Sequence, residues 1–224
     1  MGRLNHTMIA HTIAARTHGR YVVVPPANPG PAPMLVGFHG YAETAELQAG
    51  RMRAIPGSDR WLMVAIQGLT RFYQRRTNEV VAGWMTRQDR ELAIADNLAY
   101  VASVVDAVTR EWPTSYARVY AGFSQGVAMT FRAAVASSRP PSGVISVGGD
   151  VPPELESPDL CRVRTALVCH GSADDWYTAA VFAKDVRRLR DANVQVRPLE
   201  FAGGHEWSDE VVRAAGEFLR EHHS

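Results

Sequence analysis

The chain of 224 residues is 46% hydrophobic and 21% charged, which is the composition of an ordinary globular protein that can bury a sizeable core. Its 24 Lys and Arg nearly balance its 23 Asp and Glu, so the formal net charge is +1, and no long run of one sign occurs. This balance argues against nucleic acid or an anionic membrane surface as a partner.

The opening segment and the cysteine content favour a cytoplasmic protein. Residues 1–20 are interrupted every few positions by His, Arg, Asn or Thr, so they lack the apolar stretch of a secretory signal. No apolar run approaches the ~20 residues that cross a bilayer. Cys161 and Cys169 are too few for a disulfide framework and do not have metal-ligand spacing. We therefore expect a cytoplasmic location, no membrane partner, no metal and no cofactor.

Short apolar, β-branched runs alternate with amphipathic segments along the chain, which is the pattern of a sheet with crossover helices. The first two predicted strands should form an antiparallel hairpin, and the others should be mostly parallel. In chain order the eight predicted strands are 8–16, 21–26, 33–40, 61–68, 117–124, 143–149, 165–171 and 194–201. The predicted helices are 43–54, 87–111, 125–137, 177–191 and 207–221.

Local signals refine this α/β prediction. Thr86 and Asp89 resemble a capping box at the start of the longest helix, and Pro113 should end it. The segments 69–84 and 150–162 lack clear periodicity and would follow strand ends, where loops of parallel sheets carry ligands. No linker or repeat divides the chain, so the sequence predicts a single domain over residues 1–224 without a large cap.

The stretch AGFSQGVAM, residues 121–129, places Ser124 between Gly122 and Gly126, after a predicted strand and before a predicted helix. In that context the G-x-S-x-G pattern is typical of a nucleophile elbow, a sharp turn that holds a serine in strained backbone geometry and exposes its hydroxyl. Residues two positions to either side need to lack a Cβ, because they would collide across the turn. The alternative interpretation is an ordinary glycine-rich turn.

A serine nucleophile needs a base and an acid that orients the base, and both are available later in the chain. Asp174 and Asp175 follow the predicted strand 165–171, and His205 lies in a glycine-rich loop before the last helix. The order serine, acid, histidine is that of α/β-hydrolases. The sequence therefore predicts a triad of Ser124, His205 and one of the two aspartates.

Two other histidines, His39 and His170, stand in HG dipeptides at predicted strand ends. We expect both to hold their turns by hydrogen bonding, while the following glycine permits the bend. The segment FHGYAE, residues 38–43, also follows the third strand, where an α/β-hydrolase takes a backbone N–H for its oxyanion hole.

The motifs FHG, GFSQG, HGSADDWYT and GGH occur here in the order found in the α/β-hydrolase superfamily. From about residue 20 to the end, the chain resembles its compact carboxylesterase and acyl-protein thioesterase branch. The resemblance implies an α/β-hydrolase fold and, through the HG-x-x-D spacing, Asp174 rather than Asp175 as the triad acid. It also implies the backbone N–H groups of Gln125 and Tyr41 as oxyanion-hole donors. The branch usually has a second glycine soon after the HG dipeptide, where this chain reads HGYAETAE.

The triad predicts hydrolysis of small carboxylic esters through an acyl-enzyme. Aromatic residues near strand-end loops favour an apolar acyl or aryl site, and the candidates are Trp84, Trp176, Phe72 and Tyr73. An acyl thioesterase or peptidase with the same triad and a non-catalytic ligand-binding protein of the same fold are the alternatives. The expected partner is a small-molecule ester, and a homodimer is expected only because such dimers are common.

Overall fold

The computed structural model describes residues 8–223, and the strands in this part of the chain form one large sheet and one small one. In chain order they are β1 Arg20–Val24, β2 Ala32–Phe38, β3 Leu62–Gln67, β4 Thr70–Tyr73, β5 Val80–Gly83, β6 Thr114–Phe123, β7 Gly143–Val147, β8 Thr165–Gly171 and β9 Gln195–Phe201. The large sheet has seven strands in the order β1-β3-β2-β6-β7-β8-β9. All neighbours in it are parallel except β1, which runs antiparallel to β3.

Helices cover both faces of the large sheet. They are α1 Ala45–Ala54, α2 Arg90–Glu111, α3 Gln125–Ala136, α4 Ser157–Leu160, α5 Ala179–Asp191 and α6 Asp209–Glu221. One face packs against α2, α3, α4 and α5, and the other packs against α1 and α6. Because both faces are covered, β2, β3 and β7 are buried along their whole lengths, which explains their continuous apolar sequences.

The mostly parallel sheet with flanking helices confirms the predicted fold class, and β1, the predicted second strand, is antiparallel as expected. The predicted first strand is wrong: residues 8–16 are exposed and form no strand, so the sheet has seven strands. Among the large apolar residues of this segment, Ile9 and Ile13 would share one strand face, whereas Met8 would lie on the other. A strand here would bury too little apolar surface to offset its loss of entropy. The first seven residues lie outside the described part of the chain.

The segment 69–84 was expected to be a loop after a strand end, but it forms the β4–β5 antiparallel hairpin. The predicted helix start is also wrong in detail. Asp89 has a positive φ of 49° and makes no side-chain cap, and the Thr86 hydroxyl donates to the carbonyl of Gln88 instead.

By length and composition alone α2 could cross a membrane, with an 18-residue window of mean hydropathy 1.4. In this fold its valines at 101, 104, 105 and 108 pack on the sheet.

Candidate active site

The predicted elbow joins β6 to α3, and Ser124 is the residue at the turn. Its φ of 51° and ψ of −121° lie outside the regions that residues with a Cβ normally occupy. The Ser124 N–H donates to Val147 O at 2.9 Å on the neighbouring strand, which holds the strained residue in place. Strain of this kind persists only where the surrounding structure enforces it, and it occurs mainly at functional sites.

The two glycines of the pattern are required for different reasons. A Cβ at Gly122 would lie 2.7 Å from Gly126 O, so this glycine prevents a collision across the turn, as predicted. A Cβ at Gly126 would instead lie 2.2 Å from Phe38 O and 2.5 Å from His39 O, at the end of β2. Gly126 therefore lets α3 approach the neighbouring strand closely, which the sequence pattern did not reveal.

The structure brings Ser124, His205 and Asp174 together at the carboxyl ends of three parallel strands. Ser124 follows β6, Asp174 follows β8, and His205 follows β9. The Ser124 Oγ to His205 Nε2 distance is 2.8 Å, and the His205 Nδ1 to Asp174 Oδ2 distance is also 2.8 Å. Because a carboxylate only accepts, Nδ1 carries the proton and Nε2 is free to accept from the serine hydroxyl. The arrangement can therefore transfer a proton from Ser124 to His205.

The environment of Asp174 keeps it ionised. Its side chain is buried, which by itself would raise the pKa. The backbone N–H groups of Tyr177 and Trp176 donate to Oδ1 at 2.9 and 2.8 Å, and His205 bonds Oδ2. Together these hydrogen bonds hold the pKa of Asp174 below its usual value despite the burial. Asp175, the other sequence candidate, is exposed, so the geometry favours Asp174 as the partner of the imidazole.

Replacing Asp174 by asparagine is expected to lower kcat by roughly 10⁴-fold, because the amide stabilises the wrong tautomer of His205. Asp175→Asn is the matched control and should leave kcat within about twofold of the wild type, because surface side chains without such contacts have small effects. Steady-state kinetics on p-nitrophenyl butyrate measures both. Equal losses in the two variants would contradict the assignment of Asp174.

The loop after β2, which carries the predicted oxyanion donor Tyr41, lies against the elbow. A Cβ at Gly40 would be 3.1 Å from Phe123 Cδ1, so the loop touches the residue before Ser124. The N–H groups on either side of Tyr41 are already engaged: Gly40 donates to Glu43 Oε2 at 2.7 Å, and Ala42 donates to Ala82 O at 2.9 Å. The Tyr41 side chain is exposed.

Sequence reasoning missed an ion pair that braces this loop. Glu43 binds Arg51 of α1 through two contacts, at 2.6 Å to Nη1 and 2.7 Å to Nη2, while also accepting from Gly40. The Arg51 guanidinium lies 4.1 Å above the ring centre of Phe123. The sequence held one signal for part of this arrangement. Gly40 stands three residues before Glu43, and this spacing allows the local bond from the Gly40 N–H to the Glu43 carboxylate.

The side chain of Gln125 has a role that the pattern did not indicate. Its Oε1 accepts from Trp84 N at 2.8 Å, and its Nε2 donates to Met85 O at 3.1 Å. Gln125 therefore ties the start of α3 to the segment that follows β5. Its backbone N–H, the predicted oxyanion donor, lies at the amino end of a twelve-residue helix, where the helix dipole favours negative charge.

Only one of the two HG histidines behaves as predicted. His39 is buried, accepts from Gly68 N at Nε2 (3.0 Å), and its Nδ1 lies 2.6 Å from Gly40 O, so it does hold its turn. Burial lowers the pKa of His39 and keeps it neutral. His170 is also buried, but neither ring nitrogen has a hydrogen-bond partner among residues 8–223. It stacks on Phe182 at 5.1 Å, so its predicted hydrogen-bonding role is wrong.

An open pocket of about 380 Å³ lies beside the triad, and its walls come from Gly149, Asp150, Trp176, Tyr177 and Val181. Of the four aromatic residues predicted to contact substrate, Trp176 lines this pocket and is 85% exposed.

The other three predicted aromatic residues do not line the pocket. Trp84 is fully buried and donates from Nε1 to His39 O at 2.8 Å, so its prediction as a substrate contact is wrong. Phe72 and Tyr73 lie on β4, where the Phe72 ring is 5.3 Å from that of Tyr41. Within residues 8–223, no group of three or more His, Cys, Asp and Glu is placed to hold a metal ion.

The sheet topology and the serine-bearing turn at its carboxyl edge define an α/β-hydrolase fold. The chain belongs to the phospholipase/carboxylesterase family, whose model matches residues 19–223. This confirms the resemblance seen in the four motifs, and the protein is a hydrolase of the carboxylesterase and thioesterase type. No curated protein matches the chain.

Solved structures with the same fold share little sequence with this chain. A carboxylesterase from Bacillus cereus is 14% identical, with a TM-score of 0.72, and the match covers 91% of this chain and 94% of the other. Acyl-protein thioesterase 2 from Zea mays is 17% identical, with a TM-score of 0.71 and coverages of 92% and 99%. A phospholipase/carboxylesterase from Dyadobacter fermentans is 19% identical, with a TM-score of 0.67 and coverages of 91% and 97%. At these identities the likeness concerns the fold alone.

Proposed function

We propose that the protein is a carboxylesterase that hydrolyses small carboxylic esters, either short- or medium-chain acyl esters or aryl esters, using Ser124, His205 and Asp174 as its triad. The observation that carries this proposal is the pair of 2.8 Å contacts that link the three side chains beside an open pocket. A non-catalytic protein of this fold would have no need to keep Ser124 in a strained conformation within hydrogen-bonding distance of the His205 imidazole.

In the proposed mechanism, Ser124 Oγ attacks the ester carbonyl carbon as its proton moves to His205 Nε2. Asp174 stabilises the resulting imidazolium through Nδ1–H. The tetrahedral oxyanion is bound by the N–H groups of Gln125 and Tyr41, each contributing about 2.7–4 kcal/mol by analogy with measured oxyanion holes. Collapse of this intermediate breaks the bond to the alkoxy oxygen, which takes the proton from His205 and leaves as the alcohol.

Deacylation repeats these steps with water. His205 removes a proton from the water as its oxygen attacks the acyl carbon, and the same donors stabilise the second oxyanion. When the intermediate collapses, Ser124 Oγ takes back the proton and the carboxylic acid leaves. Every proton transfer passes through the single imidazole, so no other acid or base is needed.

The pocket suits a small substrate without negative charge. Its volume of about 380 Å³ lies near the lower end of the range, roughly 300–1,000 Å³, that is typical of small-molecule sites. Trp176, Tyr177 and Val181 supply apolar surface for an acyl or aryl group. Asp150 is an exposed carboxylate in the lining, and it would repel an anionic substrate.

A matched panel of phenyl esters and S-phenyl thioesters of acetate, butyrate and octanoate tests this proposal, with phenyl hemisuccinate as the anionic counterpart of the butyrate ester. We expect kcat/KM to be highest for the butyrate ester, and lower for octanoate because the pocket is small. Phenyl hemisuccinate should react roughly tenfold more slowly than the butyrate ester in the wild type, and Asp150→Asn should narrow that gap. A consistent preference for thioesters would replace the proposal with the thioesterase alternative.

A further inference from the structure

A second cavity, far from Ser124, lies between α2 and α3 above β6. It measures about 370 Å³, which is within the range of small-molecule sites, and it shares no lining residue with the pocket beside the triad. Its apolar walls include Leu98, Val101 and Val105 of α2 and Ala133 and Ala136 of α3. Ala136 and the two serines after it are at the carboxyl end of α3, whereas Ser124 is at the amino end. These ends are about 18 Å apart, the length of twelve helical residues.

A nearly buried arginine lines this cavity. Arg118 of β6 is only 6% exposed, and its Nε is inaccessible and has no hydrogen-bond partner among residues 8–223. Within residues 8–223, no carboxylate is close enough to form an ion pair with it. Buried guanidinium groups carry a permanent charge and are normally paired with an acid or an anion. Among the described residues, the positive charge of Arg118 is therefore not compensated by an ion pair, although it lies in a mostly apolar cavity.

A second cation increases the positive potential near the cavity. Burial lowers the pKa of Arg139, and the charge of Arg118 lowers it further, so the two guanidinium groups are close enough to repel each other. Arg139 is held by its bond to Ser115 O at 3.0 Å and by the Tyr116 ring, 4.0 Å below its guanidinium carbon. Of the described residues that line the cavity, Asp106 is the acidic one; it is exposed and forms no ion pair with either arginine.

We propose that this cavity binds an organic monoanion, a carboxylate joined to an aliphatic or aromatic body. The carboxylate would accept hydrogen bonds from the guanidinium of Arg118, and the apolar body would lie between the walls of α2 and α3. Asp106 at the lining disfavours a second negative charge, so inorganic phosphate and dicarboxylates fit poorly. The proposal concerns binding and does not depend on the proposed esterase function.

Hexanoate is the probe, and alanine methyl groups report its position. In protein labelled with ¹³C at alanine methyls, Ala99, Ala102, Ala133 and Ala136 line this cavity, whereas no alanine lines the pocket beside Ser124. We expect hexanoate to shift these four methyl signals in a saturable titration. Hexanol tests the apolar body alone, and inorganic phosphate and chloride test the charge alone; each should give much smaller shifts at equal concentration.

Three variants separate specific recognition from nonspecific binding. Arg118→Met should weaken hexanoate binding by about 10- to 100-fold, as expected for loss of a charged hydrogen bond. Asp106→Asn should tighten binding, because it removes a repelling charge. Arg110→Met, which changes an exposed arginine in the last turn of α2, is the control and should have no effect. The proposal is wrong if hexanoate leaves the four methyl signals unchanged, or if Arg118→Met binds as well as the wild type.

A measurement without ligand checks the premise that Arg118 is unpaired. Removing a buried charge that has no partner should leave the melting temperature of Arg118→Met unchanged or raise it, whereas breaking a hidden ion pair would lower it. A fall of several degrees would overturn the proposal even if hexanoate bound, because the cavity would then already hold its counter-charge.

Discussion

The Ser124→Ala variant is expected to lose on the order of 10⁶-fold in kcat on p-nitrophenyl butyrate, because removing the nucleophile alone disables a triad whose members act as a unit. His205 and Asp174 would remain in place but would have no hydroxyl to activate. Covalent labelling by a fluorophosphonate, which requires the same hydroxyl, should disappear with the activity. Initial-rate kinetics and mass spectrometry of the labelled protein measure the two losses separately. Labelling that persisted in the variant would remove Ser124 from the mechanism.

The strain at Ser124 supplies an internal control for this experiment. Alanine has the same Cβ as serine, so Ser124→Ala should keep the φ of 51° and its penalty. Glycine tolerates this φ freely, so Ser124→Gly should be more stable than Ser124→Ala by about 1 kcal/mol, the lower part of the range for such strain. Both variants should be inactive. The difference between the two variants in denaturant unfolding would then measure the free-energy cost of the strained backbone at this residue.

The sequence could predict the triad because each of its members follows a strand that is recognisable from its own residues. Strands β6 and β8 are largely apolar and buried, β9 mixes apolar with polar residues, and parallel strands bring their carboxyl ends to one edge. The choice of Asp174 over Asp175 came from the resemblance to the HG-x-x-D motif of the family, and the structure adds a physical reason. Two backbone N–H groups converge on the carboxylate of Asp174, and that depends on how the loop folds.

The sequence could not distinguish aromatic residues that are buried in the interior from those that line the pocket. Trp84 and Trp176 both lie near strand ends, yet Trp84 is buried beneath the loop of His39 while Trp176 faces the pocket. The direction of each side chain depends on distant partners, such as the bond from Trp84 Nε1 to His39 O. The same limit applies to the pairing of Glu43 with Arg51, because a salt bridge leaves little trace in composition or periodicity.

The prediction with the largest expected effect on folding concerns Gly126. A Cβ at this position would lie 2.2 Å from Phe38 O and 2.5 Å from His39 O, and both are backbone atoms at the end of β2. This strand is held between β3 and β6, so the clash cannot be relieved by turning a side chain. We expect Gly126→Ala to lower the free energy of unfolding by at least about 3 kcal/mol, in the range of severe overpacking. Urea-induced unfolding followed by far-UV circular dichroism measures this change.

Gly50→Ala provides the matched control, because it also adds one methyl group to a helical glycine. Gly50 lies in the middle of α1, and a Cβ there would have no heavy atom within 4 Å. Alanine should therefore raise the stability by about 0.5–1 kcal/mol through its better helix propensity. The two variants are thus expected to move in opposite directions. A Gly126→Ala variant as stable as the wild type would contradict this prediction. It would mean that α3 need not approach β2 so closely and that the tight turn at Ser124 depends on Gly122 alone.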